Sequence, residues 1–178
     1  MQIKFFITGQ PRSGKSTLIL EITKELNLKA GGFFTSEINE KGERVGFNIV
    51  SLDGKRGILA HKNFKSQFAV GKYKVSIEDL EEIGVKSILN AFEAKRLIII
   101  DEVGKMEMFS DKFKAAVLAA LESDRVVLGT IKLTTDPFTD EIKRRSDTEI
   151  FCLGRDNFKE VKKKIKDKLL ALHRRNKI

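Results

Sequence analysis

Eight residues near the start of the chain have the types and spacing of a phosphate-binding loop. Gly9 to Ser16 read Gly-Gln-Pro-Arg-Ser-Gly-Lys-Ser and fit the pattern GxxxxGK[ST] without a mismatch. The glycines let the backbone curl so that successive N–H groups point into one concavity, at the N-terminus of the next helix, where the helix dipole favours anions. In such a loop the lysine, here Lys15, reaches the β- and γ-phosphates, and the hydroxyl of Ser16 ligates Mg²⁺. The loop therefore predicts a site for a nucleoside triphosphate.

An apolar run that ends in two acids supplies a second set of reactive groups. Residues 97–102 read Leu-Ile-Ile-Ile-Asp-Glu, as expected of a strand that is covered on both faces. Asp101 at its end can hold Mg²⁺ through Ser16 or through a water. Glu102 lies just past the strand end, where its carboxylate could orient and polarise a water for in-line attack on the γ-phosphate. Together with the loop, this pair of acids favours hydrolysis.

The sequence leaves two questions about the site undecided, the role of Thr130 and the identity of a catalytic arginine. Thr130 ends another apolar run, Val126–Thr130, and either senses the γ-phosphate or only terminates a strand. The charge of a phosphoryl-transfer transition state also calls for an arginine. The sequence does not choose among five candidates, which are Arg12, Arg44, Arg56, Arg144 and Arg145.

A sheet must position these residues, and the hydrophobic pattern predicts one. We expect strands at Ile3–Thr8, Phe33–Ile38, Arg44–Leu52, Arg56–Ala60, Tyr73–Val75, Leu97–Asp101, Val126–Thr130 and Glu149–Leu153. We expect helices at Lys15–Leu26, from Ser76 onward, with a further helix to about Ala94, then from Ser110 through Leu121, at Pro137–Arg145 and from Phe158 onward. Strands that alternate with helices imply an α/β fold with a mostly parallel, doubly wound sheet. The run of strands between Phe33 and Ala60 predicts an antiparallel β-meander inserted at one edge.

The predicted meander carries polar groups of its own. Thr35 and Glu37 stand at positions i and i+2 of one strand and therefore share a face. Either this face closes over the nucleotide, or it is a sheet edge with polar side chains that point outward.

Length and composition limit the class of protein. A chain of 178 residues with 41% hydrophobic residues is expected to form a single domain, residues 1–178. No apolar run approaches the roughly 20 residues of a membrane span. The chain enters a strand at once, which predicts no signal peptide and a cytoplasmic protein. The single cysteine, Cys152, excludes internal disulfides and cysteine-clustered zinc sites, and its apolar neighbours predict a buried strand position.

The basic charge is concentrated at the C-terminal end. Residues 158–178 hold nine Lys or Arg and two acids, so most of the formal net charge of +9 belongs to this segment. Its apolar residues, Phe158, Val161, Ile165, Leu169 and Leu172, fall at helical spacing and predict a buried stripe. The basic residues off that stripe, Arg174 and Arg175 among them, form either a solvated face or a nucleic-acid patch. Aromatic residues do not alternate with them, which disfavours the patch.

The chain resembles the cancer-related nucleoside-triphosphatase (THEP) family of small phosphate-loop proteins. Four segments carry the resemblance: Gly9–Thr17, Gly32–Ile38, Arg44–Phe47 and Asp101–Glu107. The last segment, Asp-Glu-Val-Gly-Lys-Met-Glu, is the most specific, because the string Asp-Glu-x-Gly-x-Met-Glu is unusual outside that family. The chain departs from the family pattern at Asn39, where an arginine is expected, and at Phe158, where an Asn-Arg pair with Asn157 is common.

The resemblance implies a RecA-like fold and Mg²⁺-dependent hydrolysis of several nucleoside triphosphates to diphosphate and phosphate, with little base preference. The catalytic residues that it implies are Lys15, Glu102 and Glu107. The metal ligands that it implies are Ser16 and Asp101. Nucleotide-binding residues are expected at Gly9, Gln10, Pro11, Arg12, Ser13, Gly14, Lys15, Ser16, Thr17, Leu97, Ile98, Ile99, Ile100, Asp101, Glu102, Val103 and Gly104.

Two other functions remain as alternatives. One is a small-molecule or nucleotide kinase with Pro137–Arg145 as a basic lid. The other is a nucleic-acid-dependent ATPase that uses the C-terminal basic helix. The expected partners are nucleoside triphosphates, without a membrane and without a required nucleic acid, and a monomer is favoured.

Overall fold

Nine strands form one continuous sheet in the computed structural model, which describes residues 3–94 and 97–174. The strands are β1 (Lys4–Thr8), β2 (Ala30–Glu40), β3 (Glu43–Ser51), β4 (Arg56–His61), β5 (Ala69–Val70), β6 (Tyr73–Val75), β7 (Leu97–Val103), β8 (Val127–Ile131) and β9 (Thr148–Cys152). The helices are α1 (Lys15–Leu26), α2 (Ile77–Asp79), α3 (Lys86–Glu93), α4 (Asp111–Glu122), α5 (Pro137–Arg144) and α6 (Phe158–Arg174). A π-helical segment, Leu80–Val85, joins α2 to α3, and a 3₁₀ turn covers Glu107–Phe109.

The sheet has a parallel part and an antiparallel part. Its strand order is β5-β6-β4-β3-β2-β7-β8-β1-β9. The pairs β2–β7, β7–β8, β8–β1 and β1–β9 are parallel, and the strands beyond β2 are antiparallel. This confirms the predicted α/β fold, with an antiparallel meander at one edge of a mostly parallel sheet.

Helices cover both faces of the sheet. Successive side chains of a strand point to opposite faces, and in the central strands the side chains on both faces are apolar. On β7, Leu97 and Ile99 face a core that is shared with α1 and α6. Ile98 and Ile100 face the opposite core, which contains side chains of α3 and α4. This burial on both sides explains the unbroken apolar run that precedes Asp101.

Side chains at the helix starts fix where the predicted helices begin. The Ser76 hydroxyl accepts a hydrogen bond from the N–H of Asp79, and the Ser110 hydroxyl accepts one from the N–H of Phe113. Asp136 caps α5 in the same way, and Pro137 occupies the first turn of that helix. The predicted cap of Ser76 is therefore confirmed, as is that of Ser110.

Two details of the fold differ from the expectations, and a third lies outside the described residues. Cys152 lies in a strand as predicted, but its side chain is exposed, because it points to the face opposite to that of the buried neighbours Phe151 and Leu153. The short strand β5 was not expected. Helix α6 is described as far as Arg174, so Arg175 and the rest of the predicted basic helix lie outside the described residues.

One buried lysine fixes the far end of β1. Lys4 is fully buried, and its ammonium donates to the carbonyls of Ser123 at 2.8 Å and Arg125 at 2.6 Å, with Ala120 at 3.4 Å. These carbonyls lie at and beyond the end of α4, where helix carbonyls lack partners within the helix. Lys4 therefore joins the first strand to the end of α4.

Candidate functional site

A cavity of about 840 Å³ opens at the carboxyl ends of the parallel strands. This is the edge of an open α/β sheet where ligands usually bind. Its lining comes from the loop after β1, from the acids at the end of β7, from the segment after β8 and from the meander. The lining residues are Gly9, Gln10, Pro11, Arg12, Gly14, Lys15, Ser16, Thr17, Leu20, Phe34, Thr35, Ser36, Glu37, Arg44, Phe47, Leu59, Val70, Glu102, Lys105, Met106, Glu107, Lys132, Leu133 and Thr134.

The loop from Gly9 to Ser16 has the shape of an anion cradle. Gly14 adopts a left-handed conformation with φ of 95° and directly precedes α1, whose first turn carries no acidic residue. A Cβ atom built on Gly9 would lie 2.4 Å from the carbonyl oxygen of Leu153, so only glycine fits there. The loop therefore leaves the N-terminus of α1 open to an anion.

Lys15 and Ser16 both lie at the mouth of this cradle. The Lys15 ammonium donates to the carbonyl oxygens of Gly9 at 3.1 Å and Gln10 at 3.0 Å, so it crosses the loop to which it belongs. The Ser16 hydroxyl lies close enough to the Asp101 carboxyl group to lower the pKa of that acid. The structure thus brings the loop and the acidic strand end close together.

Asp101 is the buried acid of the site. Its Oδ1 accepts from the Thr130 hydroxyl at 2.5 Å, and its Oδ2 accepts from the N–H of Thr35 at 3.4 Å. Burial raises the pKa of Asp101, while the hydroxyl groups of Thr130 and Ser16 lower it. Thr130 itself is fully buried and does not line the cavity, so its hydroxyl orients Asp101.

Glu102 and Glu107 lie on the same side of Gly104. A Cβ atom built on Gly104 would lie 2.5 Å from Oε1 of Glu102 and 3.0 Å from Oε2 of Glu107. Burial, and then the charge of Asp101, raise the pKa of Glu102, whereas Lys15 and Lys132 lower it. Burial and the neighbouring Glu102 raise the pKa of Glu107 to about 8. Both acids line the cavity, so the structure places the two predicted catalytic carboxyl groups side by side.

The remaining predicted residues of the two segments lie behind the site. The side chains of the aliphatic residues of β7 are buried in the hydrophobic cores and do not line the cavity; these are Leu97, Ile98, Ile99, Ile100 and Val103. Their part in the site is to hold Asp101 and Glu102. The Ser13 hydroxyl is buried within the loop and has no hydrogen-bond partner among the described residues.

Lys132 is a cation of the cavity that the sequence reasoning missed. It follows β8 directly, its Nζ lies 3.2 Å from Asp136, and its side chain is 10% exposed. Because β8 pairs with β7, a residue just past the end of β8 comes close to Glu102. Its position after the Val126–Thr130 run was the one signal that could have identified it.

The structure separates the five candidate arginines into two groups. Arg12 and Arg44 line the cavity, and both contact Glu37 of the meander. Arg56, Arg144 and Arg145 do not line it. Arg145 instead pairs with Asp147 and Glu122. No residue of α5 lines the cavity, so the described structure does not place the predicted basic lid over the site.

The oxygen donors at the loop suit a magnesium ion. Across residues 3–94 and 97–174, no group of three or more His, Cys, Asp or Glu side chains has the arrangement of a metal-binding cluster. Mg²⁺ needs fewer ligands from the protein, because it keeps several waters and binds substrate phosphates. Ser16 and Asp101, whose side chains lie near each other, fit that requirement.

Helix α6 packs on α1, and part of its charge is neutralised there. Lys162 donates to Glu21 at 2.6 Å and also to Glu25, and Lys166 donates to Glu25 at 2.5 Å. Phe158, the first residue of α6, lies against Gly14 of the loop. No described helix has the length and apolar character needed to cross a membrane.

Several known proteins are similar in sequence to this chain over most of its length. A protein-family model described as NTPase matches residues 4–166. The protein named "Nucleoside-triphosphatase THEP1" of Thermotoga sp. (strain RQ2) is 50% identical over 155 residues, which are 87% of this chain and 88% of that protein. The "Cancer-related nucleoside-triphosphatase homolog" of Mus musculus is 35% identical over 168 residues, covering 85% of this chain and 88% of that protein.

Solved structures share the fold. The crystal structure of THEP1 from the hyperthermophile Aquifex aeolicus superposes with a TM-score of 0.84 at 33% identity, covering 92% of this chain and 96% of that one. The solution structure of a human cancer-related nucleoside triphosphatase superposes with a TM-score of 0.81 at 30% identity, covering 96% and 98%.

Proposed function

The chain belongs to the THEP1 family of nucleoside-triphosphatases, and from that premise we propose that it hydrolyses nucleoside triphosphates to diphosphate and phosphate, with Mg²⁺ and with little preference for the base. One observation carries the proposal. Lys15 and Ser16 of the phosphate loop line the same cavity as Glu102, and the Ser16 hydroxyl lies near the Asp101 carboxyl group. Groups that bind phosphates and a group that can activate water therefore face one space.

The loop binds the triphosphate in this proposal. The N–H groups at the start of α1 donate to the phosphate oxygens, and the helix dipole adds to their attraction. When nucleotide binds, the Lys15 ammonium group gives up its hydrogen bonds to the carbonyl oxygens of Gly9 and Gln10 and binds the β- and γ-phosphates instead. Since those carbonyls are neutral acceptors and the phosphates are charged, the exchange is favourable.

Ser16 and Asp101 would hold Mg²⁺, with Thr130 and the N–H of Thr35 fixing the orientation of the Asp101 carboxyl group. The bound metal would neutralise charge on the phosphate oxygens. Burial raises the pKa of Asp101, and a cation held there would favour the ionised carboxylate.

Glu102 orients the attacking water and accepts a proton from it. The water oxygen forms a bond to the terminal phosphorus, while the bond from that phosphorus to the bridging oxygen breaks and leaves its electron pair on the diphosphate. Burial and Asp101 raise the pKa of Glu102, which favours its acceptance of a proton, while Lys15 and Lys132 partly oppose that rise. Glu107 is largely protonated near neutral pH and so adds little repulsion to the phosphates.

The lining of the cavity supports a weak base preference. An amide side chain can donate to and accept from the edge of one base at the same time, which makes it the side chain best suited to a bidentate base contact. Gln10 of the loop is the one amide side chain among the described lining residues. Bidentate amide contacts to a base are therefore limited to this one residue.

Phosphate release from a panel of nucleoside triphosphates, with and without Mg²⁺, tests the proposal. We expect similar turnover across bases, no turnover without Mg²⁺, and no need for an added acceptor. Phosphate release that requires an acceptor would instead support a kinase.

Glu102→Gln tests the assignment of the base. We expect kcat to fall by about 100-fold or more, because the amide cannot accept the proton, while nucleotide affinity is kept. Fluorescence titration with a labelled nucleotide measures that affinity. Glu40→Gln, an exposed position at the end of β2, is the matched control and should behave like the unaltered protein. Full turnover in Glu102→Gln would rule out the assignment.

A further inference from the structure

Glu37 joins two arginines that belong to different elements. Arg12, in the phosphate loop, donates from Nε to Oε1 and from Nη2 to Oε2 of Glu37, both at 3.1 Å. Arg44, on β3, donates from Nη1 to Oε1 at 2.6 Å. All three side chains line the cavity, so two guanidinium groups converge there on one pair of anionic oxygens.

Arg44 is the more firmly held of the two arginines. Its Nε donates to the Tyr73 hydroxyl at 3.0 Å, and its guanidinium carbon lies 5.0 Å from the ring centre of Phe47 and 5.5 Å from that of Tyr73. The two rings pack edge to face at 5.2 Å. The Arg44 side chain is 30% exposed, against 66% for Arg12. Arg44 is thus oriented before any ligand binds and is less screened by water.

Resting on the function proposed above, we propose that Arg44 is a catalytic residue that contacts the terminal phosphate and stabilises its charge in the transition state, and that Glu37 is the positioning residue that aims it. A donor that is oriented in advance in a weakly solvated site stabilises developing charge best. The planar fork of arginine also matches phosphate oxygens.

Glu37 also reduces the electrostatic repulsion between the guanidinium groups of Arg12 and Arg44. Without its negative charge, the two guanidinium groups would repel each other and the other cations of the cavity. The bond from Arg12, and after it the bond from Arg44, lower the pKa of Glu37, so the carboxylate is ionised throughout the neutral range. Arg12 and Arg44 already bind the carboxylate of Glu37, so this part of the cavity suits an anion. The phosphate oxygens of the nucleotide would compete with that carboxylate for the two arginines.

Arg44→Gln tests the catalytic role. We expect kcat to fall by about 100-fold or more, as for other arginines that act on phosphoryl transfer, while the Kd for nucleoside triphosphate changes by less than tenfold. Aluminium fluoride with a diphosphate mimics the transition state, and it should tighten diphosphate binding in the unaltered protein but not in Arg44→Gln. The matched control is Arg56→Gln on the neighbouring strand β4, an exposed arginine outside the cavity. A kcat within threefold of the unaltered protein would overturn the role.

Glu37→Gln separates positioning from support of the fold. We expect kcat to fall by about tenfold with an unchanged or tighter Kd, because the cavity gains one positive charge as the arginines lose their alignment. A loss of kcat together with weaker binding and a lower melting temperature would show a structural role and overturn the assignment.

Two further measurements keep the proposal testable if Arg44→Gln folds poorly. Tyr73→Phe removes two hydrogen bonds with Arg44, one donated by the Arg44 Nε and one accepted by its carbonyl oxygen, and should lower kcat several-fold. Millimolar guanidinium should restore part of the activity of Arg44→Ala, and no restoration would count against a direct contact. Phosphate release by the unaltered protein is measured first. If it is absent, the proposed function fails; if it is present and Arg44→Gln retains it, only this inference fails.

Discussion

At the scale of single residues, Gly104 is the point where two carboxyl groups of the site meet. Any side chain there would collide with Oε1 of Glu102 and would press on Glu107. The absence of a side chain at Gly104 therefore leaves the space that the two carboxyl groups occupy, although the backbone there is not left-handed.

Gly104→Ala should lower kcat by about tenfold or more while nucleotide affinity stays close to that of the unaltered protein. The added Cβ displaces the Glu102 carboxylate, and catalysis is sensitive to shifts of about 1 Å in such groups. Steady-state kinetics with a binding titration measures both quantities. Gly154→Ala is the control, because a Cβ there would meet only Asn157 at an ordinary 3.8 Å. Equal activity in the two variants would contradict this account of Gly104.

Glu107 should make stability depend on pH. Its folded pKa of about 8 lies above that of an unfolded glutamate, so the folded state binds a proton that the unfolded state releases. The free energy of unfolding should therefore fall between about pH 4.5 and 8, with a contribution of up to about 1.4 kcal/mol per pH unit from this group.

Glu107→Gln should remove that fall, so its stability relative to the unaltered protein should improve as pH rises to 8. Urea denaturation at a series of pH values checks this, with exposed Glu40→Gln as the control. Parallel pH profiles for Glu107→Gln and the unaltered protein would show that the Glu107 carboxyl group does not titrate in this window.

The sequence predicted the residues whose pattern is local. The phosphate loop and the Asp101–Glu102 pair each lie within one continuous segment, and they meet in the structure through Ser16. Lys132 and the contact of Glu37 with Arg12 could not be predicted in the same way, because they depend on which strands are neighbours in the sheet.

At the scale of elements, the side chain of Lys4 links strand β1 to the end of helix α4. It stands in an apolar strand and donates to carbonyls at the end of α4. Burial lowers its pKa to about 8. From the sequence, a lysine in such a run suggests a side chain that points to solvent, and its actual partners lie more than a hundred residues away.

Lys4→Met should lower the free energy of unfolding by about 1–3 kcal/mol, because the carbonyls lose a charged donor while the apolar volume is kept. The midpoint of urea denaturation measures this. Lys55→Met, at an exposed position before β4, should change stability by less than about 0.5 kcal/mol. If both variants lose equal stability, the contacts of Lys4 are not the cause.

The starts of helices were predicted correctly where a capping residue stood directly before a run of apolar residues at helical spacing. The starts of α1, α2 and α4 follow from the loop glycine and two serines. The predicted burial of Cys152 was wrong because an apolar run usually means burial on both faces, whereas only the face of β9 that carries Phe151 is covered at this end of the strand.

At the scale of the whole molecule, the charge distribution of α6 bears on nucleic-acid binding. Lys162 and Lys166 are engaged by acids of α1, Lys163 and Lys164 pair within α6, and Lys168 pairs with Glu149 of β9. The positive charge of the segment is therefore less available than its composition indicates.

Single-stranded RNA or DNA should change nucleotide turnover by less than twofold, even at about 50 mM salt. Phosphate release with and without the nucleic acid measures this. Stimulation that disappears by about 200 mM salt would instead show electrostatic binding of nucleic acid and would contradict the prediction.

The position of β1 in the sheet has a consequence for synthesis on the ribosome. Both neighbours of β1, which are β8 and β9, come from the last third of the chain, and so does Phe158, which lies against Gly14. The phosphate loop is translated among the first residues, but the surfaces that support it emerge last. A nascent chain would therefore acquire nucleotide binding late, after β9 and the start of α6 have left the exit tunnel.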